Sequence, residues 1–345
     1  MNAQNTFEAP KVRRETKNKI RVDFERTSFW TRFRLRFLTG TAIKNALIWI
    51  FRMVFLLGVS YVILMPFYSK IASSFMSRED FVDVTVKLLP KHPTLDTYKA
   101  IIIEEKYFQA LLNTTLLSGA CALLQTMVCA MIGYGFAKYK FKGSKLLFAL
   151  VVLTMIIPHN TMQFAMYMRF NFFDFGVGRY GILNLIMGKQ IKLTNTYWPL
   201  IMLSASGLAF KNGLYIFMLR QFFRGVPDEL EESAYIDGYG PFQTFVKIVL
   251  PISVPMLITV FLFAFSWQWT DNFYISTLFT TKTPKLLTYI IAVPRRLDTD
   301  YAGRELYTAA IRNTCGLLII APLLVVYLFF QRYLVEGIER SGIVG

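Results

Sequence analysis

Six stretches of the chain, roughly 46–68, 109–136, 145–165, 197–219, 252–275 and 310–332, are each long and apolar enough to cross a bilayer core. Such a crossing takes about 20 mostly apolar residues as a helix. In hydrocarbon every backbone N–H and C=O must find an internal partner, so these stretches are expected to be helices and not open strands. Composition supports the same class. Hydrophobic residues make up 54% of the chain and charged residues only 17%, against about 25% charged in an ordinary soluble domain. Disorder, coiled coil and a secreted disulfide scaffold are thereby excluded. The expected fold class is all-α, a polytopic membrane protein with six transmembrane helices.

The net charge of +16 is compatible with nucleic-acid binding, but its placement argues against that partner. Residues 1–46 hold eleven Lys/Arg and four Asp/Glu, and the apolar runs begin immediately after. A basic flank beside a first span marks a cytoplasmic segment near anionic lipid. The short 137–146 connection carries four lysines and no acid, so it too is expected on the cytoplasmic side. Both termini are then cytoplasmic, in a multi-pass protein of the cell (inner) membrane. No apolar core of a cleavable signal occurs in residues 1–40.

Cys121, Cys129 and Cys315 lie within apolar runs and read as small buried residues. With only His92 and His159 as histidines, no zinc-type ligand set is expected. The sequence divides into a basic tail (1–45), a membrane domain (46–335) and a short C-terminal tail (336–345).

The informative loop is 225–251, expected on the cytoplasmic face. Pro227 suits a first helical position, and Asp228, Glu229, Glu231 and Glu232 follow where a helix dipole favours anions. Gly238 and Gly240 mark a turn, Pro241 opens a second helix, and Pro251 ends it as the chain re-enters the membrane. A helix-turn-helix can bind DNA, but 228–237 carries five acids and no base, which phosphate would repel. An acid-led cytoplasmic knob suits docking into a groove on another protein.

The spacing of that loop resembles a known signature. Glu232-Ser233-Ala234, three residues, Gly238, nine residues, then Ile248-Val249-Leu250-Pro251 is similar to the EAA motif of binding-protein-dependent ABC transporter permeases. Leu219-Arg220-Gln221-Phe222-Phe223, Pro90-Lys91-His92-Pro93-Thr94, Leu112-Asn113-Thr114, Asn195-Thr196-Tyr197-Trp198, Trp269-Thr270-Asp271 and the 331–337 tail resemble the carbohydrate-uptake branch, the maltose-permease MalG type. The likeness covers about 46–345. Ser233 replaces the usual alanine, 171–192 reads as an insertion, and Ser341-Gly342-Ile343-Val344-Gly345 departs from the family's usual tail.

The resemblance implies one half of an importer's membrane channel. A second, non-identical permease subunit, a pair of ATP-binding cassette ATPases and an extracytoplasmic solute-binding protein would be its partners, and a carbohydrate its substrate. Glu231, Glu232, Ser233, Ala234, Asp237, Gly238, Ile248, Leu250 and Pro251 would form the surface that couples to the ATPase. No cofactor is implied in this chain, since ATP and Mg would be bound by the ATPase. No Gly-x-x-x-x-Gly-Lys-[Ser/Thr] phosphate loop occurs in the sequence, and Gly176-Val177-Gly178-Arg179-Tyr180-Gly181 lacks the strand and helix that a dinucleotide site needs.

For the solute path, Lys211 and Asn212 stand out in the fourth apolar stretch. A lysine near mid-membrane costs about 2.5–3.5 kcal/mol on insertion scales, so it should face a cavity, a partner helix or an ion pair. Gly207 and Gly213 are expected to loosen the helix there. Trp267, Trp269, Asp271 and Asn272 combine flat aromatic faces with hydrogen-bonding groups, the chemistry a sugar ring needs. Two other classes make different demands. An ion-coupled carrier calls for paired carboxylates within spans, and a membrane enzyme for a clustered acid/base or metal constellation. The spans hold scattered single groups instead.

Overall fold

The computed structural model describes residues 12–15, 19–22 and 40–342, save 175, 177–180, 282, 284, 299 and 301–302. Most of the basic tail, the 177–180 part of the Gly-x-Gly-x-x-Gly sequence and residues 343–345 lie outside the described residues. The chain divides into two units, Met1–Tyr68 and Ser69–Gly345.

The first unit carries a short antiparallel hairpin, β1 (Val12–Glu15) with β2 (Lys19–Val22), and most of helix α1 (Gly40–Ser74). The hairpin departs from an all-helical reading, but it lies in the tail, before the first apolar stretch. Leu47, Phe51, Val54, Leu57 and Val62 of α1 are each more than half exposed. A helix apolar on all sides is built for hydrocarbon.

The second unit is helical. α2 (Asp96–Glu104) leads into α3 (Tyr107–Lys138), followed by α4 (Ser144–Ile156), α5 (Gln163–Asn171) and α6 (Ile182–Met187). Then come α7 (Trp198–Ser206), α8 (Asn212–Arg224), α9 (Glu229–Ile236), α10 (Pro241–Ile252), α11 (Val254–Trp269), α12 (Phe273–Leu278) and α13 (Arg304–Gly342).

α3 is the central element, packed against α7, α8 and α11. Small residues on its buried side, Ala110, Ala122, Cys129, Ala130 and Gly133, let neighbouring backbones approach. A Cβ at Gly133 would stand 3.0 Å from the Arg220 amide nitrogen and 3.0 Å from Leu219 Cβ of α8. On its other side Leu112, Leu116 and Leu123 are exposed, again the surface of a helix facing lipid or another apolar chain. One core gathers α3, α8, α11 and α13 around Tyr215, Leu219, Val260, Trp269 and Ile311. A second lies under α5, α7 and α12 around Phe170, Leu200, Tyr274 and Leu278. The three cysteines are free thiols, all buried.

Three of the expected spans differ from straight helices. Among the described residues, Lys44–Ser74, Tyr107–Lys138 and Arg304–Val335 are continuous helices long and apolar enough to cross a membrane. The 145–165 stretch breaks after Ile156, just before Pro158, which disfavours helix in the residue before it. The chain then bends by 96° into the His159–Asn171 segment. The 197–219 stretch splits into α7 and α8 at Gly207, which sits at φ +76° and ends α7. Near 252 the chain bends by 82° between α10 and α11. Pro251 has no N–H to donate. The turn Phe245–Val249 before it widens to π geometry, and the Leu250 N–H reaches back to the Phe245 carbonyl. The fifth expected span also stops early, α11 ending at Trp269. α13 runs on through the 335/336 boundary to Gly342.

Candidate functional site

Two regions hold the residues singled out by sequence. The first is a knob formed by α9 and the start of α10. α9 stops by a Schellman motif: the Gly238 N–H donates to the Tyr235 carbonyl at 3.1 Å and the Tyr239 N–H to the Ala234 carbonyl at 2.9 Å. That closure needs the left-handed backbone of Gly238, φ +82°. Nothing lies within 4 Å of where its Cβ would be, so conformation and not space demands glycine. Ala234, four residues earlier, is fully buried, while Glu232, Ser233 and Asp237 are exposed. The alternation within Glu-Ser-Ala is therefore one buried small residue beside polar groups facing outward. Ile248 and Leu250 are half-buried, and Pro251 is exposed at the bend. Leu250 packs on the main core.

The knob rests on aromatic rings. Tyr134 of α3 packs against Phe245 (centroids 4.8 Å apart) and Phe223 (5.8 Å). Its outer surface adds apolar groups to the acids: Ile236 is 86% exposed and Phe242 69%. Water alone is a poor solvent for such a patch.

Glu231 is not on that outer surface. It is buried, its Oε1 3.4 Å from the Nζ of Lys138 at the end of α3. The same ammonium donates to the Val226 carbonyl at 2.6 Å and to Asp228 Oδ1 at 2.5 Å. The Lys138 hydrogen bond holds the Asp228 carboxyl below its ordinary 3.8. In the sequence Lys138 is just one of four lysines in the 137–146 connection. The signal that could have found it is the unbalanced row of acids at 228–232, which needs a cation if any member is buried.

The second region is a cavity of about 200 Å³ at the α7–α8 break. Lys211, Trp267, Asp271 and Asn272 line it, joined by Gln125, His159, Gln268 and Tyr274, which sequence reading did not single out. The Lys211 ammonium stands 3.9 Å from the centroid of the Trp267 ring, a cation–π contact. Asp271 Oδ1 accepts from the Phe273 N–H at 3.1 Å and the Tyr274 N–H at 3.2 Å, so it caps α12. Its Oδ2 is buried without a hydrogen bond. Gln125 Nε2 donates to Ser204 Oγ at 3.1 Å, and the His159 ring packs on Phe210 and Phe273.

Two expected wall residues lie elsewhere. Trp269 is 2% exposed within the core, its indole N–H donating to the Ile319 carbonyl at 2.9 Å. Two residues along α11 from Trp267 is about half a helical turn, which carries the ring to the opposite side. Asn212 is fully buried, and neither polar atom of its side chain has a hydrogen-bond partner. Gly213 likewise serves packing: a Cβ there would collide with Thr154 of α4. Among the described residues no group of three or more His, Cys, Asp or Glu is placed to hold a metal ion.

Comparison with known proteins follows the same lines. Residues 129–340 match the family model "Binding-protein-dependent transport system inner membrane component". The polygalacturonan/rhamnogalacturonan transport system permease protein YtcP of Bacillus subtilis is 27% identical, over 84% of this chain and 96% of the relative. The galactooligosaccharides transport system permease protein GanQ of the same species is 26% identical, over 76% and 84%. The trehalose transport system permease protein SugB of Mycobacterium tuberculosis is 26% identical, over 75% and 85%. In three dimensions the chain resembles a chain of a bacterial ABC transporter that imports the acidic polysaccharide alginate. The TM-score is 0.66 at 18% identity, over 84% of this chain and 97% of that one. An apolar helical chain with long apolar stretches broken at Pro158, Gly207 and Pro251 thus belongs to the family of binding-protein-dependent transport system inner membrane components.

Proposed function

We propose that this chain is one of two non-identical permease subunits of an ATP-driven ABC importer for a carbohydrate, an oligosaccharide, delivered by an extracytoplasmic solute-binding protein. The observation that carries the reading is the α9–α10 knob, an acid-led, partly apolar protrusion stopped at Gly238, in a family of transport permeases. Relatives that carry polygalacturonan, galactooligosaccharides and trehalose support the substrate class.

In this reading the membrane is crossed six times, by α1, α3, α4 with α5, α7 with α8, α10 with α11, and α13, with both termini in the cytoplasm. Glu232, Asp237 and Gly238 face a groove on the ATPase, flanked by Ile236 and Phe242, while Ala234, Ile248, Leu250 and Pro251 shape the knob behind them. ATP and Mg belong to the ATPase, and this chain performs no catalysis. Closure of the ATPase pair drives the knobs together and rocks the permeases between inward- and outward-open states. ATP achieves this only by binding the two states unequally. Lys211, Trp267, Asp271 and Asn272 offer the passing sugar an aromatic face and groups for its hydroxyls.

The test is purification of the tagged chain from its native membrane, with photo-crosslinkers at Ile236 and Phe242. The expected result is recovery of a second permease and an ATPase, with the crosslinks landing on the ATPase. Recovery of the chain alone, active in uptake without ATP, would contradict the reading.

A further inference from the structure

Lys138 makes a three-point attachment that coupling by the knob alone leaves unexplained. Its side chain is 6% exposed, and its ammonium reaches Val226 O, Asp228 Oδ1 and Glu231 Oε1 at 2.6, 2.5 and 3.4 Å. These partners span the entry to the knob, one by backbone and two by side chain. A buried cation is costly unless fully partnered, and removing it strands the buried carboxylate beside it. Glu231 Oε1 accepts no hydrogen bond, so its ion pair with Lys138 is what compensates its burial. Two charge-assisted hydrogen bonds and one ion pair, made by a single ammonium to three separate points, resist displacement in more than one direction, whereas the aromatic packing of Tyr134 on Phe223 and Phe245 tolerates sliding.

Lys138 also closes a line through the molecule. It sits in the last turn of α3, and the same helix carries Gln125 in the cavity wall, bonded to Ser204 of α7. The interval between the two residues is about 20 Å of unbroken helix at 1.5 Å per residue. Gly133, between them, holds α3 hard against α8.

We infer that Lys138 is a positioning residue that pins the knob to α3, so that knob and helix move as one rigid body and displacement at the ATPase reaches the cavity wall undiminished. This rests on the coupling function proposed above. It makes α3, and not the short 225–228 connection between α8 and α9, the element whose motion opens and closes the solute path.

The experiment uses the complete complex with its ATPase pair. Spin labels are placed at Glu229→Cys and Met131→Cys, both exposed positions, because the native cysteines are buried. Their separation is measured by pulsed electron resonance, without nucleotide and after trapping with Mg-ATP and vanadate. The expected result is one narrow distance, the same in both states, for the native pin and for Lys138→Arg. Lys138→Met is expected to broaden the distribution and make it shift by several ångström on trapping, with the ATPase still bound. Should Lys138→Met fail to assemble, Asp228→Asn with Glu231→Gln removes the same attachment from the knob side and is read in the same way. A native distance that shifts on trapping, or unpinned variants as narrow and static as the native chain, would overturn the inference. Absence of any ATPase on the native chain would instead defeat the coupling reading on which it rests.

Discussion

The knob and the cavity are built on opposite plans. The knob keeps its marker residues in one loop: buried Ala234, the helix stop at Gly238 and the half-buried Ile248 and Leu250 stand at fixed offsets along the chain, although Leu250 and Phe245 also pack on the main core. The cavity is assembled from distant segments, Gln125 on α3, His159 after the α4 break, Lys211 at the start of α8 and Trp267 on α11. A local device keeps its spacing in the sequence, while an assembled one leaves no spacing to read. The difference shows in α11, where Trp267 is half exposed beside Lys211 and Trp269 is packed against Ile319.

Substitutions at these two tryptophans sharpen the contrast most. Trp269→Ala empties a core position and removes the indole hydrogen bond to the Ile319 carbonyl. The expected loss is about 3–5 kcal/mol, visible as a large drop in the thermal transition of the detergent-solubilised complex. Trp267→Ala is expected to leave that transition nearly unchanged while weakening solute transport. Equal destabilisation by both would mean that Trp267 is also core.

Next in size are two glycines. Gly133→Leu forces a side chain between α3 and α8, an overpacking cost of about 1–3 kcal/mol that should lower the yield of assembled complex. Gly238→Ala meets no atom and carries only the left-handed backbone penalty, about 1–2 kcal/mol. Its effect should stay in the knob: faster hydrogen exchange at the Gly238 and Tyr239 amides, with an unchanged global transition. A lowered global transition would show that the knob is part of the core and not a local device.

The smallest effect is that of pH on the pin. Folding lowers the Asp228 pKa below 3.8, so the Lys138 bond contributes stability above that value and loses it as pH falls through the lowered one. Amide protection across 226–231 should therefore hold from neutral pH to the ordinary carboxylate range and decline only in stronger acid. Decline already near neutral pH would assign the protection to another group.

The membrane class was legible because apolar length is a strong signal, and the knob was legible because capping residues recur at fixed offsets. The breaks in the third and fourth apolar stretches were less so. Pro158 and Gly207 stood in the sequence, but a lone proline or glycine in an apolar run is also compatible with a continuous helix, and the breaks are seen only in the fold. Glu231 shows the same limit. It sits beside exposed Glu232 in an acidic run, and its burial follows from Lys138, more than ninety positions upstream. Of the residues expected in the cavity wall, Lys211, Trp267, Asp271 and Asn272 are there, while Trp269 and Asn212 face the core because helical phase carries them inward.

The central claim is that a rigid protrusion at Gly238 carries ATPase motion into this subunit. Its most direct test is ATP hydrolysis by the reconstituted complex, with and without the loaded solute-binding protein, in the native chain and in Gly238→Arg. The account predicts that the native complex speeds hydrolysis when the loaded binding protein is added and that Gly238→Arg abolishes this response. A full response in Gly238→Arg, with normal transport, would contradict it.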